Sequence, residues 1–403
     1  MSTQVGVGFS ENPKSYDAGI EAATAALANT EIKKSDLAIL FSTSRHNPSQ
    51  LLSSVRSVLG TDARITGGQG NGVITTNKFG YEGYQVGVAV LASDSFDVNL
   101  FSEGGLPDND YNVGVALGKQ IKNRKTEGKR NLFILYELFK GKPTEECRMN
   151  INNPPTFLQG MKHALGTWPR TSGFCASSGF GFHPSHQFFD DRIQQQSAMA
   201  LLLTGDVEMD SILVHGLKPA SSYYTITKVD ENVILEIDNK PAIDAVAEIL
   251  GGDSDSSSES FVVLGINRGE KFGDYIPENY LNRLPHRIEP ERGGLVTIER
   301  DLKEGDQFQL MRRNFSDFAY LQERCETILN TVKHKKPFLA LYLDCSGRAS
   351  AYSDTEREDV EIVQQIIGSK IPLFGIYTGG EIAEIRGDVE FTLFNSIICI
   401  FSE

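Results

Sequence analysis

The segment Asp344-Cys345-Ser346-Gly347-Arg348 gathers an acid, a thiol, a hydroxyl and a guanidinium within five residues. It closes an apolar run, Pro337 to Leu343, that reads as a strand. An arginine there has two chemistries open to it. Its planar fork can hold a ligand carboxylate or phosphate, or it can pair with Asp344 four residues back and fix the loop. Cys345 has a cation three residues away, which favours a thiolate and makes a reactive cysteine conceivable; the other reading is a small buried residue. A second constellation is Tyr377-Thr378-Gly379-Gly380-Glu381. Glycines there let backbone amides approach a guest, while Glu381 is placed to meet an ammonium or hydroxyl. A third is Gly67-Gly68-Gln69-Gly70-Asn71-Gly72, whose alternate glycines lack the strand-turn-helix setting of a dinucleotide fingerprint. None of these turns ends in the Gly-Lys-Ser/Thr of a phosphate-binding loop. His183 and His186 lie three apart with no carboxylate or cysteine pair to complete a metal site. His46 follows an early strand much as Arg348 follows a late one.

The elements that must position these residues repeat. Three times an apolar strand is followed by a helix-length stretch and a glycine-punctuated turn: 36–72, 132–179 and 337–382. Strands separated by helix-length connections signal α/β construction. The short step from Gly72 to Gln85 is hairpin-like, so mixed rather than purely parallel sheets are expected, with flanking helices. A helix is expected from His46, carrying Leu51, Leu52, Val55, Val58 and Leu59 as an apolar stripe and stopping at Gly60. Pro241 is suited to open another over 242–250. The division between two domains is placed at 235/236, giving units 1–235 and 236–403. Residues 251–260 are almost entirely Gly, Ser and Asp and read as a mobile loop.

The charge of 39 − 53 = −14 and the pI of 5.1 set the chain against a phosphate backbone, so nucleic acid is not an expected partner. Five scattered cysteines without a C-x-x-C pair argue against a disulfide framework or closed zinc site. The N-terminus lacks the features of a signal peptide, and no apolar run approaches the roughly 18 residues of a membrane span. A cytoplasmic protein without membrane insertion is expected.

The C-terminal 70 or so residues resemble the FIST family of sensory domains. The resemblance lies in the strand ending at Asp344 to Arg348, the Gly375 to Ile382 turn with Gly380-Glu381-Ile382, and Asn395 in the last strand. Lys240-Pro241-Ala242 looks like the family's join between halves, and Gly293-Gly294 and Glu304-Gly305-Asp306 sit where the family has them. Ile397 departs from the threonine the family usually places soon after the asparagine. The resemblance implies a non-enzymatic sensor of small molecules such as amino acids, with no cofactor. Its pocket would lie between the halves, lined by Asp344, Cys345, Arg348, Tyr377, Gly379, Gly380, Glu381 and Asn395, with Gly68 and Asn71. Some relatives bind haem, for which His46, His183, His186 or His215 would be axial candidates; a cysteine enzyme using Cys345 is the other alternative. No kinase, cyclase or receiver segment is present, so signalling is expected through a separate protein of that kind.

Overall fold

The computed structural model describes residues 3–28, 30–142, 149–179, 181–250, 263–313, 318–353, 355 and 357–403. Cys147, the 251–260 loop, Asp354 and Glu356 lie outside them.

The chain builds one module three times. The first comprises β1 (Gln4–Ser10), α1 (Ser15–Leu27), β2 (Leu37–Thr43), α2 (Pro48–Leu59), β3 (Arg64–Gly70), the hairpin β4 (Gly72–Thr75) and β5 (Phe79–Tyr81), and β6 (Val86–Ala92). The second repeats this order as β7 (Phe96–Gly104), α3 (Asp110–Asn123), β8 (Lys129–Glu137), α4 (Pro154–Leu165), β9 (Arg170–Ala176), the hairpin β10 (Gln187–Phe189) and β11 (Arg192–Gln194), and β12 (Ser197–Gly205). The third opens with β13 (Glu208–Val214). Between Leu217 and Arg313 it is interrupted, among the described residues, by nine short strands, β14 to β22, and one α-helix, α5 (Ala242–Ile249). It resumes with α6 (Phe318–Val332), β23 (Pro337–Cys345), α7 (Ser350–Ser353), α8 (Asp359–Val363), β24 (Leu373–Thr378), the hairpin β25 (Gly380–Ile385) and β26 (Asp388–Thr392), and β27 (Ser396–Ser402).

Local chemistry explains the helices. Asn47 caps α2 by accepting from Gln50 N at 3.1 Å, Pro48 follows, and Gly60 ends the helix at φ 80°. Asn153, Pro154 and Gly166 do the same for α4. This is the N-cap, N1-proline and terminal-glycine grammar of a helix. The helix expected from His46 therefore starts at Pro48; His46 lies before the cap.

Each module's parallel pair lies at the centre of a six-stranded mixed sheet. The orders are β1-β6-β2-β3-β10-β11, β7-β12-β8-β9-β25-β26 and β13-β27-β23-β24-β4-β5. Only the central pairs (β2·β3, β8·β9, β23·β24) are parallel. The outer hairpin of every sheet is donated by another module: β4–β5 joins the third sheet, β10–β11 the first and β25–β26 the second. The exchange is cyclic, so three walls close on one another. Their inward residues form a shared core in which Phe41, Phe174 and Phe374, one from each sheet, meet at 5.5 and 4.8 Å. The outward faces pack under α1/α2, α3/α4 and α6/α8.

Matching registers (Thr43↔Gly70, Glu137↔Ala176, Cys345↔Thr378) align the modules residue by residue. One glycine per module then falls at the same place: Gly67, Gly173 and Gly375. A Cβ on any of them would collide with a backbone carbonyl of the paired strand, that of Leu40, Ile134 or Tyr342. Glycine inside a strand here permits close backbone approach rather than a turn. The Gly67–Gly72 segment is thus mostly strand, not turn.

The expected division at 235/236 falls inside β16 (Val233–Ile237), a strand of the inserted sheet. The hairpin exchange ties residues on both sides of that point, so the hydrogen-bonded units are three modules plus an insertion. Pro241 does open α5 as expected. No described helix is long and apolar enough to cross a membrane.

Candidate functional site

Strand alternation sorts the residues of interest onto two faces. In β23, Leu339, Leu341 and Leu343 point into the shared core while Ala340 and Tyr342 face the helices. Continuing that period of two puts Cys345 inward and Asp344 outward. The expected single pocket around Asp344, Arg348 and Glu381 is thereby divided.

On the outward face, Arg348 is 2% exposed and fully engaged. Its Nε donates to Asp344 at 3.2 Å, Nη1 to the carbonyls of His215 (2.8 Å) and Phe394 (3.4 Å), and Nη2 to Asp359 at 2.5 Å. Arg313 donates to the same Asp359 carboxylate at 2.5 Å. Burial alone would raise the Asp359 pKa, but Arg348 and Arg313 hold it below the usual range. Burial pushes Asp344 the other way, up to about 7. Its Oδ1 accepts from Ser396 at 2.6 Å while Oδ2 has no partner among the described residues. Tyr377 belongs to this face, its hydroxyl reaching Glu358 at 3.4 Å beside Tyr81. The guanidinium seen in the sequence as a ligand clamp therefore locks the loop after β23.

The inward face ends at the carboxyl ends of the parallel pairs, where three residues cap the core at equivalent positions: Thr43, Glu137 and Cys345. Three backbone bonds join the modules head to tail there. Asn71 N donates to Tyr377 O (2.9 Å), Ser177 N to Gln69 O (3.2 Å) and Gly379 N to Cys175 O (2.9 Å). Asn71, Ser177 and Gly379 are thus threefold equivalents around one axis. Asn71 is 5% exposed, and its Oδ1 accepts from Ser177 Oγ (2.7 Å) and Gly179 N (3.0 Å). A backbone N–H can only donate, which fixes the amide's orientation; its nitrogen has no acceptor among the described residues. Gly379 and Gly179 are partly exposed and Ser44 is exposed, so this end of the axis reaches solvent.

Glu381 lies on the inward face, accepting from Thr378 Oγ1 and from Asn395 N. Burial raises its pKa well above the ordinary value, as it raises that of Glu137 to about 8. Glu137 holds the loop before β10 by accepting from Ser185 N (2.9 Å) and Oγ (2.6 Å). Asn395 bridges Cys345 N, Glu381 and Asn282. Gly68 lies deeper, over Leu135, and Gly380 packs against Phe391. Burial, with Glu381 adding to it, drives the Cys345 thiol far above its ordinary pKa, which fits the reading of Cys345 as a small buried residue rather than a reactive thiolate. The neighbouring cation is held by Asp344 and Asp359 on the other face. Both ring nitrogens of His46 and His215 are engaged by protein partners. Among the described residues no group of three His, Cys, Asp or Glu could hold a metal ion. Sequence reasoning missed Ser177, Glu137, Arg313 and Asp359. Aligning the three strand ends by register is the signal that would have found the first two.

Residues 36–240 match the FIST N domain and residues 242–384 the FIST C domain. An uncharacterised protein of Methanocaldococcus jannaschii is 22% identical over 52% of this chain and 41% of its own length. One of Mycobacterium tuberculosis is 22% identical over 53% and 56% respectively. The chain thus spans about half the length of the curated relatives it matches. A crystal structure of a cyanuric acid hydrolase from A. caulinodans aligns with 50% of this chain and 71% of its own at 10% identity, with a TM-score of 0.25, too slight to argue from.

Proposed function

The chain belongs to the FIST family, whose members are sensory domains that bind small ligands in signal transduction, and from that premise we propose that its guest is held at the carboxyl end of the threefold axis. The observation that carries this reading is the Asn71 amide nitrogen: a donor oriented by its own oxygen's bonds, with no acceptor among the described residues and not sealed from solvent. A donor held in place at the open end of the strands is free to take a guest's oxygen. Strand carboxyl ends are the usual ligand location in α/β sheets. The donor favours a carboxylate or carbonyl, in keeping with an amino acid or a similar small anion-bearing metabolite. The outward Asp344–Arg348 corner forms the wall behind the site. Because each hairpin belongs to a neighbouring sheet, a shift at the axis reaches all three walls, and from there a separate signalling protein such as a kinase or cyclase.

Native mass spectrometry of gently purified protein tests this. The wild type is expected to carry a non-covalent small molecule that Asn71→Leu, close in volume but without the amide, loses at unchanged circular dichroism. A guest retained equally by the variant, or no guest in the wild type, overturns the axial site.

A further inference from the structure

Phe272 is 86% exposed, more than any other large hydrophobic side chain among the described residues. It stands in the connection 268–279 between β18 (Val263–Asn267) and β19 (Tyr280–Arg283), antiparallel neighbours in the inserted sheet. Local bonds hold that connection in shape. Arg268 N donates to Asn279 O at 2.8 Å and closes its base. Asn267 braces it from inside, its Oδ1 accepting from Gly269 N at 2.8 Å and its amide donating to Glu270 O at 3.2 Å. The ring is therefore displayed at a defined place on the surface.

A single exposed ring is ordinary, but this one has company. With Tyr223, Tyr275 and Tyr280 it lines a cleft of about 540 Å³, within the range of small-molecule sites. The three tyrosines are pinned by their hydroxyls. Tyr223 accepts from Asn267 Nδ2 at 2.8 Å, Tyr280 donates to Gln309 Oε1 at 2.9 Å, and Tyr275 donates to Leu217 O. Gly265 leaves room for the Tyr280 ring, whose Cδ1 a Cβ there would meet at 3.0 Å. Walls fixed in advance lower the ordering cost of binding. Tyr223 and Phe272 stand at 85° to each other with centroids 6.1 Å apart, forming a corner. A cation already sits in it: Lys271 Nζ lies 5.0 Å from the Tyr223 centroid and 5.3 Å from that of Phe272. Lys271 is exposed and forms no ion pair with a described residue, so the rings are what its ammonium faces.

We infer that this cleft binds a small molecule through a quaternary ammonium group, which takes the corner by displacing the Lys271 ammonium. Aromatic faces carry negative potential, so two faces set at a right angle attract positive charge from two sides. A lysine ammonium is compact, strongly hydrated and carried on a flexible stem. A methylated ammonium gives up less hydration and brings methyl groups that pack on the neighbouring tyrosine rings. The chain's charge of −14 favours the approach of a cation. The cleft shares no residue with the axial end, and the inference does not depend on the axial reading.

Choline titrated against the full chain, followed by ligand-observed NMR, tests this. Saturable binding at millimolar concentration is expected in the wild type. Phe272→Ala removes one wall at an exposed position and should weaken choline at least about fivefold, with the melting temperature unchanged. Lys271→Ala vacates the corner and should tighten choline by a comparable factor. The neutral alcohol in which a tert-butyl group replaces trimethylammonium has the same shape without the charge. It should bind the wild type at least about fivefold more weakly than choline does. Choline failing to saturate the wild type, binding Phe272→Ala with undiminished affinity, or binding Lys271→Ala no more tightly overturns the inference. So does a neutral alcohol that binds as well as choline.

Discussion

The corner after β23 and the corner after β2 occupy the same place in their modules yet use opposite chemistry. Three residues beyond Cys345, Arg348 reaches the carbonyl of Phe394, just ahead of the last strand of its module. Three residues beyond Thr43, His46 reaches the carbonyl of Tyr84 at 3.0 Å, the same point of the first module, and Ser15 at 3.2 Å. One corner is a buried network of two guanidiniums and two carboxyls; the other is a single imidazole whose pKa burial lowers, leaving it neutral. The shared task is to pin the loop leaving the strand. A charged residue at a strand end is therefore no sign of a ligand by itself: the module tolerates a neutral residue in the same post.

The largest effect should come from breaking the charged corner. Arg348→Ala leaves Asp344 buried without its cation and Asp359 with only one of its two. Removing one member of a buried ionic network typically costs about 3–5 kcal/mol. His46→Ala removes two hydrogen bonds of a neutral group, about 1 kcal/mol each. Urea unfolding of both variants checks the ranking, and equal losses would mean that the two corners differ only in appearance.

The pH dependence of stability should separate the second and third modules. Glu137, raised from 4.5 to about 8, binds its proton more tightly when folded. Its contribution is complete below about pH 4.5 and falls as the pH climbs through 8. His215, lowered from 6.5 to about 4 by burial, with Arg348 nearby adding to the effect, behaves oppositely. Its contribution is complete above pH 6.5 and is lost as the pH falls through 4. Glu137→Gln should flatten the alkaline side of a stability-against-pH curve and His215→Gln the acid side. Unfolding midpoints from pH 4 to 9 would show this, and a Glu137→Gln curve that keeps its alkaline slope breaks the assignment.

The three strand–helix–strand copies were legible because each is local: an apolar run, a helix with its stop signal, and a glycine where two backbones meet. The cyclic hairpin exchange was not, since nothing within β4–β5 or β25–β26 says that their partners lie in another module. The insertion between Leu217 and Arg313 was likewise not legible as one unit: the division at 235/236 cuts through it, because its strands follow β13 without a break in composition. Most costly was the phase of β23. Its inward and outward residues are both apolar, Leu341 and Leu343 against Ala340 and Tyr342, as in any strand buried on two faces. Alternation therefore left no mark, and Asp344 and Cys345 read as neighbours at one site rather than as residues on opposite sides of a sheet.

The smallest effect is expected at the axis, where the comparison is sharpest. Asn71 and Ser177 carry side chains at the position where the third module has Gly379, whose φ lies outside the left-handed region. A Cβ on Gly379 would meet Leu138 Cδ2 at 2.8 Å and Ser177 Cβ at 3.2 Å. The nearer contact is the end of a flexible side chain that can give way, so Gly379→Ala should cost only about 1 kcal/mol. That small loss makes the substitution informative. If glycine there serves only the close approach of Leu138 and Ser177, the alanine variant changes stability alone. If a guest lies against these side chains, the small molecule carried by the purified protein should fall while the unfolding midpoint in urea barely moves. Glycine there then differs from its two equivalents because the side chains around it must stay in place for the ligand.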